Sequence, residues 1–166
     1  IEVHRGLAGT GLVGVIPGRN PGSGRAIGLR ADLDCLPMHE AADKPHASRH
    51  PGRMHACGHD GHTTMLLGAS RYLAETRDFD GTVYVIFQPA EEHGGGGGVM
   101  VREGLFDRFP MDEVYALHNW PQLPPGQIAV RPGPMMAAAD EVSIVVHGKG
   151  GHGAMPHIAV DPVVVA

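Results

Sequence analysis

Thr82-Val83-Tyr84-Val85-Ile86-Phe87-Gln88-Pro89-Ala90-Glu91-Glu92 is the stretch whose reading decides the fold. Thr82 to Phe87 is β-branched or aromatic at every position, which predicts a buried strand, and Pro89 ends it. Immediately upstream, His62 to Thr76 carries Met65, Leu66, Ala69, Tyr72 and Leu73 at helical spacing. Further upstream, Leu12 to Ile16 and Ala26 to Ala31 are short apolar runs around Pro17-Gly18 and Pro21-Gly22, so they read as strands joined by a hairpin-like turn. Between them and the helix, residues 37 to 58 are polar, with His, Pro and Gly scattered through, and read as a long functional loop. Downstream of five consecutive glycines, Gly94 to Gly98, Val99 to Leu105 reads as a helix; Val114 to Leu117 and Gln127 to Val130 read as further strands. Alternation of strand and helix in this order predicts an α/β domain whose sheet is mostly parallel, with helices on its faces.

The composition supports a globular chain and excludes several functions. With 166 residues, 42% of them hydrophobic, the chain can bury a proper core. A mean hydropathy of −0.10 and the absence of any run of about 18 apolar residues leave no membrane span. A net charge of −5, from 13 basic and 18 acidic residues without a block of either sign, argues against nucleic acid as a partner. Two cysteines, Cys35 and Cys57, do not make a disulfide scaffold. No signal-like pattern opens the chain, so a reducing, cytoplasmic compartment is the expectation. The excess lies in histidine, 12 in all, a residue that ligates metals and moves protons near neutral pH.

Both ends read as cut. The chain opens on Ile1 in mid-pattern, and Asp161-Pro162 looks like a helix cap and first turn whose apolar run, Val163 to Ala166, stops at once. The expectation is a fragment of a longer chain. A composition shift at Pro132-Gly133-Pro134, followed by Met135-Met136-Ala137-Ala138-Ala139, marks a domain boundary near residue 137, with another strand beginning from Glu141 to His147.

Gly9-Thr10-Gly11-Leu12-Val13-Gly14 matches a dinucleotide fingerprint, and Asp32 and Asp34 follow at about the right distance. The third glycine should open a helix, yet Val15-Ile16-Pro17-Gly18 reads as a strand ending in a turn, so the match is discarded.

Four clusters carry chemistry. His55-Ala56-Cys57-Gly58-His59-Asp60-Gly61-His62 brings a thiol and an imidazole two residues apart, able to face one divalent ion. His59 and His62 form a different pair if the helix starts early. The plainer reading is a polar helix start capped by Asp60, with Cys57 buried as a small apolar residue. In Gln88-Pro89-Ala90-Glu91-Glu92 two carboxylates follow a strand, where one could bind metal while the other serves as a base; the plainer reading is a solvated acidic pair. Ala116-Leu117-His118-Asn119-Trp120 places a histidine at another strand end. Gly148-Lys149-Gly150-Gly151-His152-Gly153-Ala154 leaves His152 prominent and lacks the spacing of a phosphate cradle. Asp32-Leu33-Asp34 ends yet another strand, and alternation puts both carboxylates on one side. Three strand ends and a helix start thus converge on one sheet edge with Asp, Cys, His and Glu. That donor mix suits Zn, Mn, Co or Ni better than Mg or Ca.

Together Ala31-Asp32-Leu33-Asp34, His55 to His62, Phe87 to Glu92 and Gly148 to Ala154 resemble the M20 metallopeptidase family, in its amidohydrolase branch of hippurate, N-acyl-amino-acid and auxin-conjugate hydrolases. The resemblance implies a three-layer α/β/α zinc-exopeptidase-like catalytic domain, residues 1–137, and the beginning of a ferredoxin-like lid domain, residues 138–166, that usually dimerises. It further implies two divalent ions, with Cys57 bridging them, His59 and His118 completing one, and Glu92 on the other. Glu91 is then the general base, Asp34 orients the site, and His152 steadies the substrate carbonyl. A fifth histidine ligand and an N-terminal helix have no counterpart here, so this stretch alone is expected to be inactive. His93 stands where the branch more often has glycine. The implied substrate is a small N-acyl amino acid, with no nucleic acid or membrane as partner. Two other functions stay open: a dipeptidase or deacetylase of the same family, and a metal-binding module without chemistry, against which a spare glutamate beside a liganding one argues.

Overall fold

A computed structural model describes residues 1–41, 43–138 and 140–166. Ala42, inside the polar loop, and Ala139, beside the expected boundary, lie outside the described residues. The chain divides into two units, Ile1–Gln122 and Leu123–Ala166.

The first unit is built on five strands: β1 (Glu2–Leu7), β2 (Gly11–Pro17), β3 (Ala26–Asp32), β4 (Thr82–Gln88) and β5 (Glu113–Ala116), in the order β1-β2-β4-β3-β5. Its helices are α1 (His59–Thr76), α2 (Gly96–Arg102) and the short α3 (Leu105–Arg108). The run 82–87 is the centre of the sheet, and alternation along it serves both faces. Val83, Val85 and Phe87 pack with Ile16, Ala31 and Leu66 of α1 on one side. Ile86 packs with Leu7, Val13, Met100 of α2, Leu105 of α3 and Phe109 on the other. The result is three layers, helix, sheet, helix. A strand covered on both faces has no polar side, which is why this segment reads as a continuous apolar run.

Three sequence expectations are corrected. Strands β2 and β3 are not joined as a hairpin, because β4 lies between them. The hairpin is β1–β2, antiparallel through Ala8–Thr10, with Ala8 and Gly9 at φ 49° and 79°. Strand β1 escaped notice because most of its residues are exposed and mixed in polarity, as on an edge. Nor is the sheet mostly parallel. β2 meets β4 antiparallel, while β3 runs parallel to both β4 and β5. A tight turn can join only antiparallel neighbours, so the β1–β2 hairpin sets the sense of that half.

Finally, Gln127–Val130 and Glu141–His147 form no strands. Val142, Ile144 and Val145 are 78%, 81% and 70% exposed. Among the described residues of the second unit, the one β-bridge pairs Lys149 with Val160. Without a neighbouring strand to take its backbone groups, an apolar alternation alone does not make one. Here Asp161 caps α4 (Pro162–Val165), its carboxylate accepting the Val163 N–H at 2.9 Å, as the Asp-Pro pair predicts.

Helix α1 starts three residues earlier than its apolar pattern suggests. His59, His62, Leu66 and Ser70 are its buried face, and Met65 and Tyr72 point outward. The glycine run is the start of α2 rather than a slack linker. At Gly96 any Cβ would overlap the Pro89 carbonyl, so glycine lets this helix close against the turn after β4. The discarded fingerprint, Gly9 to Gly14, lies in the β1–β2 turn and strand β2, and its third glycine opens no helix.

Candidate metal centre

Four chain segments meet at the carboxyl end of the parallel half of the sheet, where open α/β sheets place ligands. β3 ends in Asp32 and leads to Asp34; β4 ends before Glu91 and Glu92; β5 leads to His118 and Asn119; and Cys57 to His59 open α1. Two backbone features aim these groups. Gly58, at φ 93°, precedes α1, and any side chain there would overlap the Asn119 amide. Ala90, at φ 53°, is a rare non-glycine in the left-handed region. It turns the chain after Pro89 so that both following glutamates reach one point: Glu91 Oε2 and Glu92 Oε1 each lie 3.8 Å from His59 Nε2.

The tautomers follow from chemistry. His59 Nδ1 is 2.9 Å from the Asp34 carbonyl oxygen. A carbonyl can only accept, so Nδ1 carries the proton and Nε2 presents a lone pair to the cluster. His118 repeats the arrangement: Nδ1 donates to the Asn119 carbonyl at 2.7 Å, while Nε2 stands 3.5 Å from Cys57 Sγ. His62 differs. Its Nδ1 meets Asp32 Oδ1 at 2.6 Å and its Nε2 meets Asn119 through both the backbone N–H, at 2.9 Å, and the side-chain amide, at 2.7 Å. Both ring nitrogens are engaged, so of the pair His59 and His62 only His59 has a nitrogen to offer.

Electrostatics point the same way. Burial raises the Asp32 carboxyl, but the His62 hydrogen bond and the Arg30 guanidinium outweigh it and hold Asp32 below the usual carboxylate range. Arg30 reaches Asp32 Oδ2 at 2.8 Å. For Asp34, burial is likewise outweighed by backbone N–H groups, that of Glu92 at 3.0 Å among them. Burial and the carboxylates of Glu92, Glu91 and Asp32 push the Cys57 thiol up to about 11. A thiolate among three carboxylates is unfavourable without a compensating cation.

Fit to a cation is tested by the atoms left over. Asp34 Oδ1, His59 Nε2 and Glu92 Oε1 are buried without a hydrogen-bond partner. Of these, His59 Nε2 and Glu92 Oε1 face each other at 3.8 Å, and orphaned buried atoms are costly unless something answers them. Three overlapping groups offer ligand atoms close enough to share an ion: Cys57, His59 and His118; His59, Glu91 and Glu92; and Asp32, His59 and His62. The first two use free donor atoms, and the third has His62 already committed. A cluster of thiol, imidazole and carboxylate donors, with orphaned atoms, fits two adjacent divalent ions.

The expected residues Cys57, His59, Glu91, Glu92 and His118 therefore come together, with Asp34 behind them. His152 lies in the second unit, exposed, its Nδ1 accepting the Ala154 N–H at 3.1 Å. Asp60 is not the cap of α1; it is exposed in the first turn. The sequence pattern does not reveal Arg30, Gln88 and Asn119 as partners that hold the site. The i, i+3 spacing does pair His62 with His59, as expected, but as a hydrogen-bonded partner rather than a second donor.

Known proteins share this sequence and fold. The sequence profile of peptidase family M20/M25/M40 matches residues 28–166. Hippurate hydrolase of Campylobacter jejuni is 46% identical over 165 residues, covering 99% of this chain and 42% of that protein. IAA-amino acid hydrolase ILR1-like 4 of Arabidopsis thaliana is 44% identical over 163 residues, 96% of this chain and 36% of that protein. The crystal structure of the Bacillus subtilis YXEP protein, described as a dinuclear metal binding peptidase, superposes with a TM-score of 0.74 at 40% identity, covering 81% of this chain and 37% of that one. The chain thus spans about two-fifths of the length of the proteins it matches.

Proposed function

This chain belongs to peptidase family M20/M25/M40, and from that premise we propose that the protein is a metal-dependent amidohydrolase cleaving the amide bond of N-acyl amino acids, hippurate-like or auxin-conjugate-like. The observation that carries the reading is the orphaned Nε2 of His59, facing two adjacent glutamates at 3.8 Å. A closed structural site uses four protein ligands and has no need of a spare carboxylate.

In this reading Cys57, His59, His118 and Glu92 hold two divalent ions, drawn from Mn, Zn, Co or Ni. When bound, such a pair supplies Lewis-acid polarisation of the scissile carbonyl and lowers the pKa of a water molecule towards neutrality. Glu91, the more exposed of the two glutamates, takes a proton from the attacking water at a carboxylate oxygen. It then returns that proton to the leaving amine, so water and amide become carboxylate and amine. Asp34 fixes the His59 ring through its backbone carbonyl, keeping Nε2 in the liganding form.

His152 is assigned to steadying the substrate carbonyl. The boundary near residue 137 separates a catalytic domain, 1–137, from the start of a ferredoxin-like lid, 138–166, through which the protein dimerises. Both cysteines are free, which suits a reducing, cytoplasmic compartment.

The test is release of glycine from hippurate by the full-length protein, with metal stoichiometry measured alongside. Cleavage that stops on chelation and returns with metal supports the reading. A metal-loaded protein that cleaves no N-acyl amino acid overturns it.

A further inference from the structure

The hydrogen bonds behind His118 form one continuous chain. Arg30 donates to Asp32 at 2.8 Å. Asp32, 1% exposed, accepts from His62 Nδ1 at 2.6 Å. The Asn119 backbone N–H is 2.9 Å from His62 Nε2, and an N–H can only donate, so His62 is neutral with its proton on Nδ1. The Asn119 side-chain Oδ1 stands 2.7 Å from the same nitrogen; a 180° turn of the amide puts its donor nitrogen there, as a lone pair on Nε2 requires. Lastly the Asn119 carbonyl accepts from His118 Nδ1 at 2.7 Å, leaving His118 Nε2 beside Cys57.

We propose that Arg30, Asp32 and His62 form a relay that anchors the Asn119 backbone, whose carbonyl in turn positions His118 and sets its tautomer, making His62 a positioning residue rather than a ligand. The relay couples a buried ion pair to an exposed liganding nitrogen. Asp32 accepts only and so keeps the His62 proton on Nδ1; beyond Asn119 the relay transmits position, since a backbone N–H donates and a carbonyl accepts whatever lies behind it. Arg30, which donates to Asp32, is held in turn by Gln88, which accepts from its Nε at 2.9 Å. The rings of His62 and His118 also touch edge to face, with centroids 4.5 Å apart, so hydrogen bonding must be separated from ring packing by experiment.

The proposal rests on the metal centre assigned above, and its test separates the two. In the full-length protein, cobalt(II) affinity is measured by visible absorption for His62→Phe, which keeps the ring contact and loses both hydrogen bonds. A loss of about ten- to a hundredfold is expected, the usual effect of removing a partner behind a metal-binding histidine. In a His118→Ala background the same change should cost less than about twofold, since the relay acts only through His118. Wild-type affinity in His62→Phe, or full additivity in the double variant, overturns the relay. Should His62→Phe fail to fold, His62→Gln serves in the same cycle. Independently of metal, nitrogen-15 NMR of the apoprotein should show His118 protonated on Nδ1 in wild type and a tautomer mixture in His62→Phe, where the Asn119 carbonyl is no longer held in place. An unchanged His118 tautomer there also overturns it. If the wild type takes up no cobalt, the assigned metal centre falls, and the apoprotein tautomers still decide the relay.

Discussion

His59 Nε2 and Glu92 Oε1 stand 3.8 Å apart, both buried, and neither has a hydrogen-bond partner. Two groups that could bond to protein or water, held close and left empty-handed, mark the place a cation occupies. The full-length protein is therefore expected to retain close to two divalent ions per chain after dialysis. Cys57→Ser and His59→Ala should each lose most of that metal by elemental analysis, and wild-type content in both would remove the site.

Glu91 also comes within 3.8 Å of that nitrogen, and is exposed enough to meet substrate. Glu91→Gln keeps the shape and removes the base. Turnover should fall by about 10²- to 10⁴-fold while metal content stays at the wild-type level. Normal turnover in this variant would sink the role.

Gly58 lies between Cys57 and His59 at φ 93°, with the Asn119 amide filling the space a side chain would need. Gly58→Ala combines left-handed strain of roughly 1–2 kcal/mol with displacement of Asn119. Lower thermal stability and weaker metal retention should appear together. A variant that melts like wild type and holds its metal contradicts the close approach.

Asp32 and Asp34 both titrate below the usual carboxylate range in the folded protein. A carboxyl whose folded pKa lies below its unfolded value of about 3.9 stabilises the fold above that pH. The contribution is lost as pH falls through the folded value. Melting of the metal-free protein should thus be flat near neutrality and drop below about pH 4. In Asp32→Asn part of that acid-side slope should vanish, and an identical pH profile would show that Asp32 does not carry it.

Leu66 ties α1 to the sheet through Val83, Val85 and Phe87. Leu66→Ala should cost about 2–5 kcal/mol by denaturant unfolding. The loss should exceed that of Leu67→Ala one residue on, since Leu67 is 56% exposed; equal losses would mean that α1 packs by another face.

The sequence by itself determined the central strand, the helix before it and the donor residues. A strand apolar on both faces and a histidine-rich helix start are local patterns that physical chemistry reads directly. Glu91-Glu92, His118 and Cys57-Gly58-His59 were legible as metal chemistry because each follows a strand end or opens a helix. Strand neighbours were not legible: β2 and β3 are adjacent in sequence, yet β4 separates them, and pairing is settled by which faces bury together. The apolar alternation at Glu141–His147 misled for the same reason, since a strand needs a partner that alternation does not name. Which histidine offers a lone pair was also beyond the sequence. His59 and His62 are alike in type and three residues apart, and only the third dimension puts a carbonyl behind one and a carboxylate with an asparagine around the other. A tautomer is fixed by the partner of the opposite nitrogen, and those partners, Asp34 at 25 residues' separation and Asn119 at 57, arrive only when the chain has folded.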